Sequence, residues 1–240
     1  MTADQEFDVI VVGAGAAGYA AALAAHQRGA KTLIIEKCPE ATAGGSTRVS
    51  GGGWFVNRNV EQAKTYLRSL CGVYTLPDDV IDAWAKETAN NSEWLRGFGA
   101  TVATSSEHHT VPEYPELDGS DCYGGMDVIN GQLGNFSLYD FLTAAIANHN
   151  IAIRFCCPAV ELIQQQGCGS ITGVVVEYKG QRQSLMARGG VILATGGFEA
   201  DDEMVRNYLG LADRVLWGSE ANTGDGQRMA QKAGADLWHM

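Results

Sequence analysis

The glycine pattern G-A-G-A-A-G at 13–18 constrains the fold of this chain more than any other feature. It directly follows a β-branched run at 7–12, which is typical of a buried parallel strand. The alanine-rich stretch after it predicts a helix from Tyr19 that stops near Gly29, and 31–35 predicts a second strand. A strand, tight turn, helix and strand in this order predict the first βαβ unit of a Rossmann-like α/β fold with a central parallel sheet.

The parts of this unit suit a dinucleotide. Gly13 permits the tight turn, Gly15 lets the backbone approach a pyrophosphate, and Gly18 lets the helix pack on the strand. Ala16 and Ala17 lie at the amino end of the helix, where N–H groups and the positive end of the helix dipole favour phosphate. We therefore expect these five residues to bind a cofactor.

An acidic residue follows the second strand. A carboxylate at Glu36 would accept hydrogen bonds from ribose hydroxyls and would repel a 2′-phosphate, which disfavours NADP. We include Lys37, the next residue, in the predicted cofactor-binding set. This motif alone does not distinguish FAD from NAD. A glycine-rich turn that binds no ligand is a further alternative.

Three further glycine clusters extend the pattern. The chain has 30 glycines in 240 residues, well above the usual frequency of about 7%. The clusters read GGSTRVSGGG at 44–53, ATGG at 194–197 and TGDG at 223–226. An NAD-binding dehydrogenase has no reason to place the first of these just after the second strand, so the clusters favour FAD.

In these clusters the chain resembles the flavoprotein family of fumarate reductases, succinate dehydrogenases and 3-ketosteroid Δ1-dehydrogenases, over 7–240. The resemblance implies that 44–53 wraps the pyrophosphate, the ribityl chain and the flavin edge. Side chains would prevent backbone from lying flat against so large a ring. The residues implied as cofactor-binding are Gly44, Gly45, Ser46, Thr47, Ser50, Gly51 and Gly52.

The resemblance also implies how FAD is attached and which further residues bind it. Some relatives bind FAD covalently through a histidine in this segment, and Ser46 takes that place here, so the resemblance implies non-covalent FAD. It implies a main-chain contact from Val160 to adenine and a role for Asp225, whose carboxylate can accept hydrogen bonds from ribityl hydroxyls. The second FAD fingerprint comprises Ala194, Thr195 and Gly196.

The remaining chain predicts further helices and strands around this core. Helices are expected over 60–71, 78–96, 137–149 and 227–233. Short strands are expected over 151–155, 159–164, 171–178, 182–188 and from 191, with a hairpin turn at 179–181. The stretch 100–134 has no period and is interpreted as irregular surface. We see no linker and predict one FAD-binding domain over 1–240, incomplete relative to the family, with a small antiparallel strand set and without a capping substrate domain.

Charge and cysteine usage bear on partners and location. Seventeen basic and 28 acidic residues give a net charge of −11, which argues against nucleic acid or an anionic membrane as the main partner. The apolar run 9–25 is short and interrupted by glycine, so no membrane span is expected. The six cysteines form no C-x-x-C pattern and the acidic amino terminus is unlike a secretory signal, which predicts reduced thiols in a cytoplasmic protein.

The resemblance implies a flavin-dependent oxidoreductase. The reaction would transfer hydride between flavin N5 and a carbon next to a carbonyl or carboxylate, on a dicarboxylate or a steroid-like ketone. Members of this family are much longer, and their catalytic groups lie in the part that this sequence does not match, so we assign no catalytic residue. A second chain or a homo-oligomer would then complete the site. The alternative is a non-catalytic, truncated flavoprotein.

Two other patterns are candidate sites. His108 and His109, with acidic neighbours, invite a metal site, but adjacent side chains on irregular chain seldom converge on one ion, so we expect a solvated loop and no metal. Tyr114 lies in a segment that loosely resembles one with a functional tyrosine in the ketosteroid dehydrogenases. A packed or half-exposed loop tyrosine is the simpler interpretation.

Overall fold

The computed structural model describes residues 6–105, 111–131, 133–134 and 137–237. The chain divides into two compact units, the first formed by residues up to 50 and from 142 onward, the second by 51–141. That 1–240 acts as one FAD-binding domain stays a prediction.

Strands and helices are interspersed along the chain, although four strands follow one another without a helix between 152 and 193. The strands are β1 (Glu6–Val12), β2 (Thr32–Ile35), β3 (Trp54–Asn57), β4 (Val102–Thr104), β5 (Tyr123–Ile129), β6 (Ala152–Arg154), β7 (Ala159–Gln164), β8 (Ile171–Tyr178) and β9 (Gln181–Leu193). The helices are α1 (Ala16–Gln27), α2 (Gly45–Val49), α3 (Val60–Cys71), α4 (Asp78–Gly97), α5 (Ser137–Asn148), α6 (Asp202–Met204) and α7 (Asp225–Lys232). Within the part of the chain that the structure describes, every helix is too short or too polar to cross a bilayer.

The first unit is built on a six-stranded sheet in the order β6-β2-β1-β9-β8-β7. Strands β6, β2, β1 and β9 are parallel, while β8 and β7 add an antiparallel edge. The β-branched and leucine residues of these strands form the core, with Ile10, Leu33, Ile35 and Val174 each at most 1% exposed. The predicted α/β class, parallel sheet and antiparallel strand set are confirmed.

Strand β9 corrects one prediction. The sequence suggests two strands, over 182–188 and from 191, because Gly189 and Gly190 separate them. The structure has a single strand, which pairs antiparallel with β8 and parallel with β1. The register against β1 shifts between Phe7 and Val9, so a bulge absorbs the glycine pair without ending the strand.

The second unit contains a three-stranded antiparallel sheet in the order β3-β5-β4, with α3 and α4. The prediction of irregular chain over 100–134 is therefore wrong for β4 and β5. Two glycines and an aspartate give β5 a weak strand propensity. Tertiary contacts compensate: the buried Asp127 carboxylate accepts hydrogen bonds from Thr104 Oγ1 at 2.8 Å and Ser92 Oγ at 2.5 Å.

Candidate functional site

A cavity of about 540 Å³ lies in the first unit, at the carboxyl ends of three adjacent parallel strands. Val12, Ile35 and Leu193, the last residues of β1, β2 and β9, all line it. Open parallel sheets bind ligands in this crevice because the loops that follow the strands converge there. The cavity is therefore the candidate site.

The glycine turn after β1 depends on close backbone packing. Gly13 has φ +109°, and a Cβ atom there would lie 2.2 Å from the carbonyl oxygen of Ala194. A Cβ atom on Gly18 would lie 1.9 Å from the carbonyl oxygen of Gly13. Larger residues at either position would force the turn, α1 and β9 apart, in agreement with the predicted turn and packing roles of the two glycines.

Helix α1 begins at the cavity. Its N-cap, Gly15, has no side chain to cap the helix, and the backbone N–H of Ala16 donates to Thr47 Oγ1 at 2.9 Å. Gly15, Ala16 and Ala17 all line the cavity. The positive end of the α1 dipole and its first N–H groups are thus placed where an anionic ligand would be stabilised.

Glu36 supports the glycine turn from within the chain. The residue is 8% exposed, and its Oε2 and Oε1 atoms accept the backbone N–H groups of Ala14 and Cys38, each at 2.8 Å. The sequence predicts only a ribose contact for this carboxylate. Each carboxylate oxygen can accept a further hydrogen bond, so the observed contacts leave room for ribose hydroxyls.

Lys37 and Asp225, predicted separately as cofactor contacts, form an ion pair. Lys37 Nζ lies 2.7 Å from both Asp225 Oδ2 and Thr223 Oγ1, and Thr223 Oγ1 lies 3.0 Å from Asp225 Oδ1. Among the described residues that line the cavity, Lys37 is the one cation. It joins the end of β2 to the start of α7 and compensates the charge of Asp225.

Two residues that sequence reasoning missed, Glu199 and Asn222, form a polar cluster with the predicted Ser46 in the cavity wall. Asn222 Nδ2 donates to Ser46 Oγ at 2.9 Å and to Glu199 Oε1 at 2.6 Å, and all three residues line the cavity. Asn222 is 5% exposed. Their positions in the sequence could have indicated them, because Glu199 comes just after the ATGG cluster and Asn222 just before TGDG.

Two cysteines line the cavity near Glu36. Burial raises the pKa of the Cys157 thiol to about 11. Burial and the Glu36 carboxylate raise the pKa of Cys38. Both side chains are therefore neutral thiols near pH 7, and neither is suited to act as a nucleophile.

The residues present fit a dinucleotide. The α1 amino terminus suits phosphates, the carboxylates suit sugar hydroxyls, and Cys157, Ala159, Leu193 and Met229 provide an apolar surface for a base. In addition, Gln227 Oε1 is buried without a hydrogen-bond partner among the described residues, while its Nε2 donates to the Gly196 carbonyl oxygen at 3.0 Å. A donor on a bound ligand would satisfy that oxygen.

Most predicted site residues meet at this cavity. Those that line it are Gly13, Gly15, Ala16, Ala17, Glu36, Lys37, Gly44, Gly45, Ser46, Thr47, Ala194, Thr195, Gly196 and Asp225. Gly18, Ser50 and Val160 belong to the first unit without lining the cavity, and Ala159 lines it next to Val160. Gly51 and Gly52 belong to the second unit. Contact of each predicted residue with the cofactor stays a prediction.

The two other candidate positions are not among the described residues that line this cavity. His108 and His109 lie outside the described residues. Tyr114 is 49% exposed and belongs to the second unit.

Comparison with known proteins decides the family. The sequence profile described as FAD binding domain matches residues 8–240. The chain belongs to the FAD binding domain family. This membership supports the predicted cofactor, FAD.

Individual relatives agree with the predicted resemblance. The chain is 30% identical to a 3-oxosteroid 1-dehydrogenase of Mycobacterium tuberculosis, over 97% of this chain and 55% of that protein. It is 26% identical to a probable fumarate reductase of Shewanella frigidimarina, over 95% of this chain and 39% of that protein. The chain spans about half the length, or less, of the curated relatives it matches.

The fold is shared with solved flavoproteins. The crystal structure of 3-ketosteroid Δ1-dehydrogenase from Sterolibacterium denitrificans superposes with a TM-score of 0.84 at 22% identity, over 97% of this chain and 55% of that one. At this identity the likeness concerns the fold alone. It agrees with the predicted Rossmann-like FAD-binding fold.

Proposed function

We propose that this chain holds FAD non-covalently in the cavity at the ends of β1, β2 and β9, as part of an oxidoreductase acting on a C–C bond next to a carbonyl or carboxylate. The observation that carries the proposal is the convergence of the α1 amino terminus, Glu36 and Asp225 on one cavity. Bound FAD would supply the capacity to accept or donate a hydride.

The chain's own residues have distinct roles in this proposal. The α1 amino terminus would bind the pyrophosphate, Glu36 a ribose and Asp225 the ribityl chain. Ser46 would stand beside the flavin without a bond to it, because a serine hydroxyl kept in hydrogen bonds with Asn222 lacks the nucleophilic character of histidine. Thr47 would hold α2 against the first turn of α1 through its bond to Ala16.

Two substrate classes remain in the proposal, a dicarboxylate and a steroid-like ketone, since relatives of both names are similar to this chain. Anaerobic mixing of the FAD-loaded chain with a panel of 3-ketosteroids, saturated dicarboxylates and their unsaturated counterparts tests the reaction. We expect one class to bleach the flavin absorbance, or to reoxidise flavin that dithionite has reduced. A flavin that dithionite reduces but that no member of the panel reduces or reoxidises would contradict the activity.

That contrary result would support a second candidate, a non-catalytic flavoprotein. One observation favours it: the described residues that line the cavity include no histidine, arginine or tyrosine to protonate or bind a substrate. A second chain, or a second copy of this one, would then complete the site. The exposed side chains of Val215 and Trp217, 88% and 90% exposed, support such an association. Light scattering that shows a monodisperse monomer would contradict this association.

A cytoplasmic location also stays part of the proposal, supported by the six free thiols.

A further inference from the structure

The carboxylate of Glu199 has two differently used oxygens. Oε1 accepts a hydrogen bond from Asn222 Nδ2 at 2.6 Å and lies 3.5 Å from the Ser46 hydroxyl. Oε2 has no hydrogen-bond donor among the described residues. Of the ion pairs formed within the described part of the chain, none includes this carboxylate. Glu199 therefore brings a negative charge and an open acceptor to the wall of the cavity.

Two glycines make room for this carboxylate. A Cβ atom on Gly197 would lie 2.3 Å from Glu199 Oε2, and one on Gly218 would lie 2.7 Å from Oε1. The carboxylate thus occupies a slot between two backbone segments that carry no side chains there. A surface carboxylate that contacts only solvent needs no such slot.

The hydrogen bonds of Glu199 join three separate segments at the cavity. Asn222 Nδ2 connects it to Ser46 at the start of α2, and the Ser219 backbone N–H also donates to Ser46 Oγ, at 3.3 Å. The Glu199 carbonyl oxygen accepts from Arg214 Nε at 2.5 Å, which fixes its backbone. Loss of the carboxylate would leave the buried Asn222 amide without this acceptor.

We propose that Glu199 is a further cofactor-binding residue, whose Oε1 positions Ser46 and Asn222 while its Oε2 accepts a hydrogen bond from a ribityl hydroxyl of FAD. This inference rests on the proposed function. The proposed function places Ser46 beside the flavin, and Glu199 is linked to Ser46 by hydrogen bonds through Asn222. We therefore assign Glu199 to the ribityl hydroxyls. Glu36, which follows β2, would bind the adenosine ribose. Both carboxylates line one cavity, as a dinucleotide requires.

The test compares FAD with ADP, which lacks the ribityl chain and the flavin. For Glu199→Ala we expect FAD affinity to fall about tenfold or more, as expected for loss of one good hydrogen bond to a charged group, while ADP affinity stays at the wild-type value. Glu199→Gln keeps an acceptor for Asn222, so we expect it to recover part of the lost FAD affinity. Glu220→Ala removes an exposed carboxylate nearby in the chain and serves as the control, with both affinities unchanged.

Equal loss of ADP and FAD affinity in Glu199→Ala would overturn the assignment, as would FAD affinity equal to that of the wild type. A wild-type chain that binds neither ligand would contradict the proposed function instead. In that event a double-mutant cycle of Glu199→Ala and Asn222→Ala in urea unfolding still tests the positioning role. We expect the changes in unfolding free energy of the two single variants to be non-additive in the double variant. Additive changes would overturn the positioning role.

Discussion

Lys37 and Asp225, separated by 188 positions in the sequence, both line the cavity at the ends of β1, β2 and β9 and are joined by a 2.7 Å ion pair between Nζ and Oδ2. The pair links the segment that directly follows β2 to the first residue of α7. Its partners are 29% and 40% exposed, so it contributes at most about 1 kcal/mol to stability. Its importance in the proposed function is that Lys37 neutralises Asp225, so that no uncompensated carboxylate faces the dianionic pyrophosphate of FAD.

The first prediction concerns this pair. Lys37→Met leaves the Asp225 carboxylate uncompensated in the cavity, so FAD affinity should fall, and adding Asp225→Asn should restore part of it. Titration followed by quenching of flavin fluorescence measures the three affinities. If Lys37→Met bound FAD as tightly as the wild type does, the ion pair would have no part in cofactor binding.

The second prediction concerns Glu36. Glu36→Arg removes the acceptor for the Ala14 and Cys38 N–H groups, so the cofactor-free protein should lose about 1–3 kcal/mol of unfolding free energy as well as FAD affinity. Glu36→Gln keeps one acceptor oxygen and should be affected less. Urea unfolding without FAD separates the two effects, and an unchanged unfolding free energy in Glu36→Arg would contradict the intrachain role.

The third prediction compares two helical glycines. Gly18→Ala places a methyl group against the Gly13 carbonyl oxygen, so we expect a loss of about 1–3 kcal/mol in unfolding free energy. Gly97→Ala, at the end of α4, meets no atom within 4 Å and should change stability by no more than about 0.5 kcal/mol. Thermal unfolding of both variants measures the difference. Equal stability would show that α1 need not approach the turn closely.

The fourth prediction is a pH dependence at Asp201. The Met204 backbone N–H and Arg228 hold the pKa of this carboxyl below its usual value. A lowered pKa in the folded state stabilises the protein above the unfolded pKa of about 3.9, and this stabilisation is lost as the pH falls through the folded value. Asp201→Asn should therefore be less stable by about 1 kcal/mol at pH 7, with a gap that closes below about pH 4.

Chemical unfolding at several pH values measures this gap. Asp213→Asn, which changes an exposed aspartate, is the control and should show no such gap. A constant difference between wild type and Asp201→Asn across the acid range would contradict the charge contribution.

The fifth prediction concerns thiol reactivity. Cys157 is 1% exposed and has a pKa of about 11, whereas Cys156 and Cys168 are exposed. Near pH 8, DTNB should label the two exposed thiols quickly and Cys157 only after unfolding, because the thiolate is the reacting species. Mass spectrometry of the labelled peptides identifies each site. Rapid labelling of Cys157 in the folded protein would contradict its burial.

Local signals made part of this fold predictable from sequence. The β1–α1–β2 unit follows from β-branched runs and glycines that lie close together in the chain. The predicted start of α3 also agrees, since Asn59 caps it by accepting the Gln62 N–H at 3.1 Å. The hairpin turn predicted at 179–181 is confirmed in place but is one residue shorter, because Lys179 and Gly180 both have positive φ and Gln181 already pairs with Tyr178.

Contacts between distant segments were beyond sequence reasoning. Strand β5 carries weak strand propensity, and its place follows from pairing with β3 and β4 and from the hydrogen bonds to Asp127. The link from Glu199 through Asn222 to Ser46 joins residues far apart in the chain. No local pattern encodes such a partner, although all three residues lie in or beside the glycine clusters that located the site.

The central claim, that this chain binds FAD without a covalent bond, is tested most directly by the visible absorbance spectrum of the purified protein before and after acid precipitation. We expect flavin bands, present on purification or after adding FAD, that pass into the acid supernatant. Flavin retained in the pellet would contradict non-covalent binding. The absence of flavin bands in the protein fraction, even after FAD is added and excess ligand removed, would contradict FAD binding by this chain.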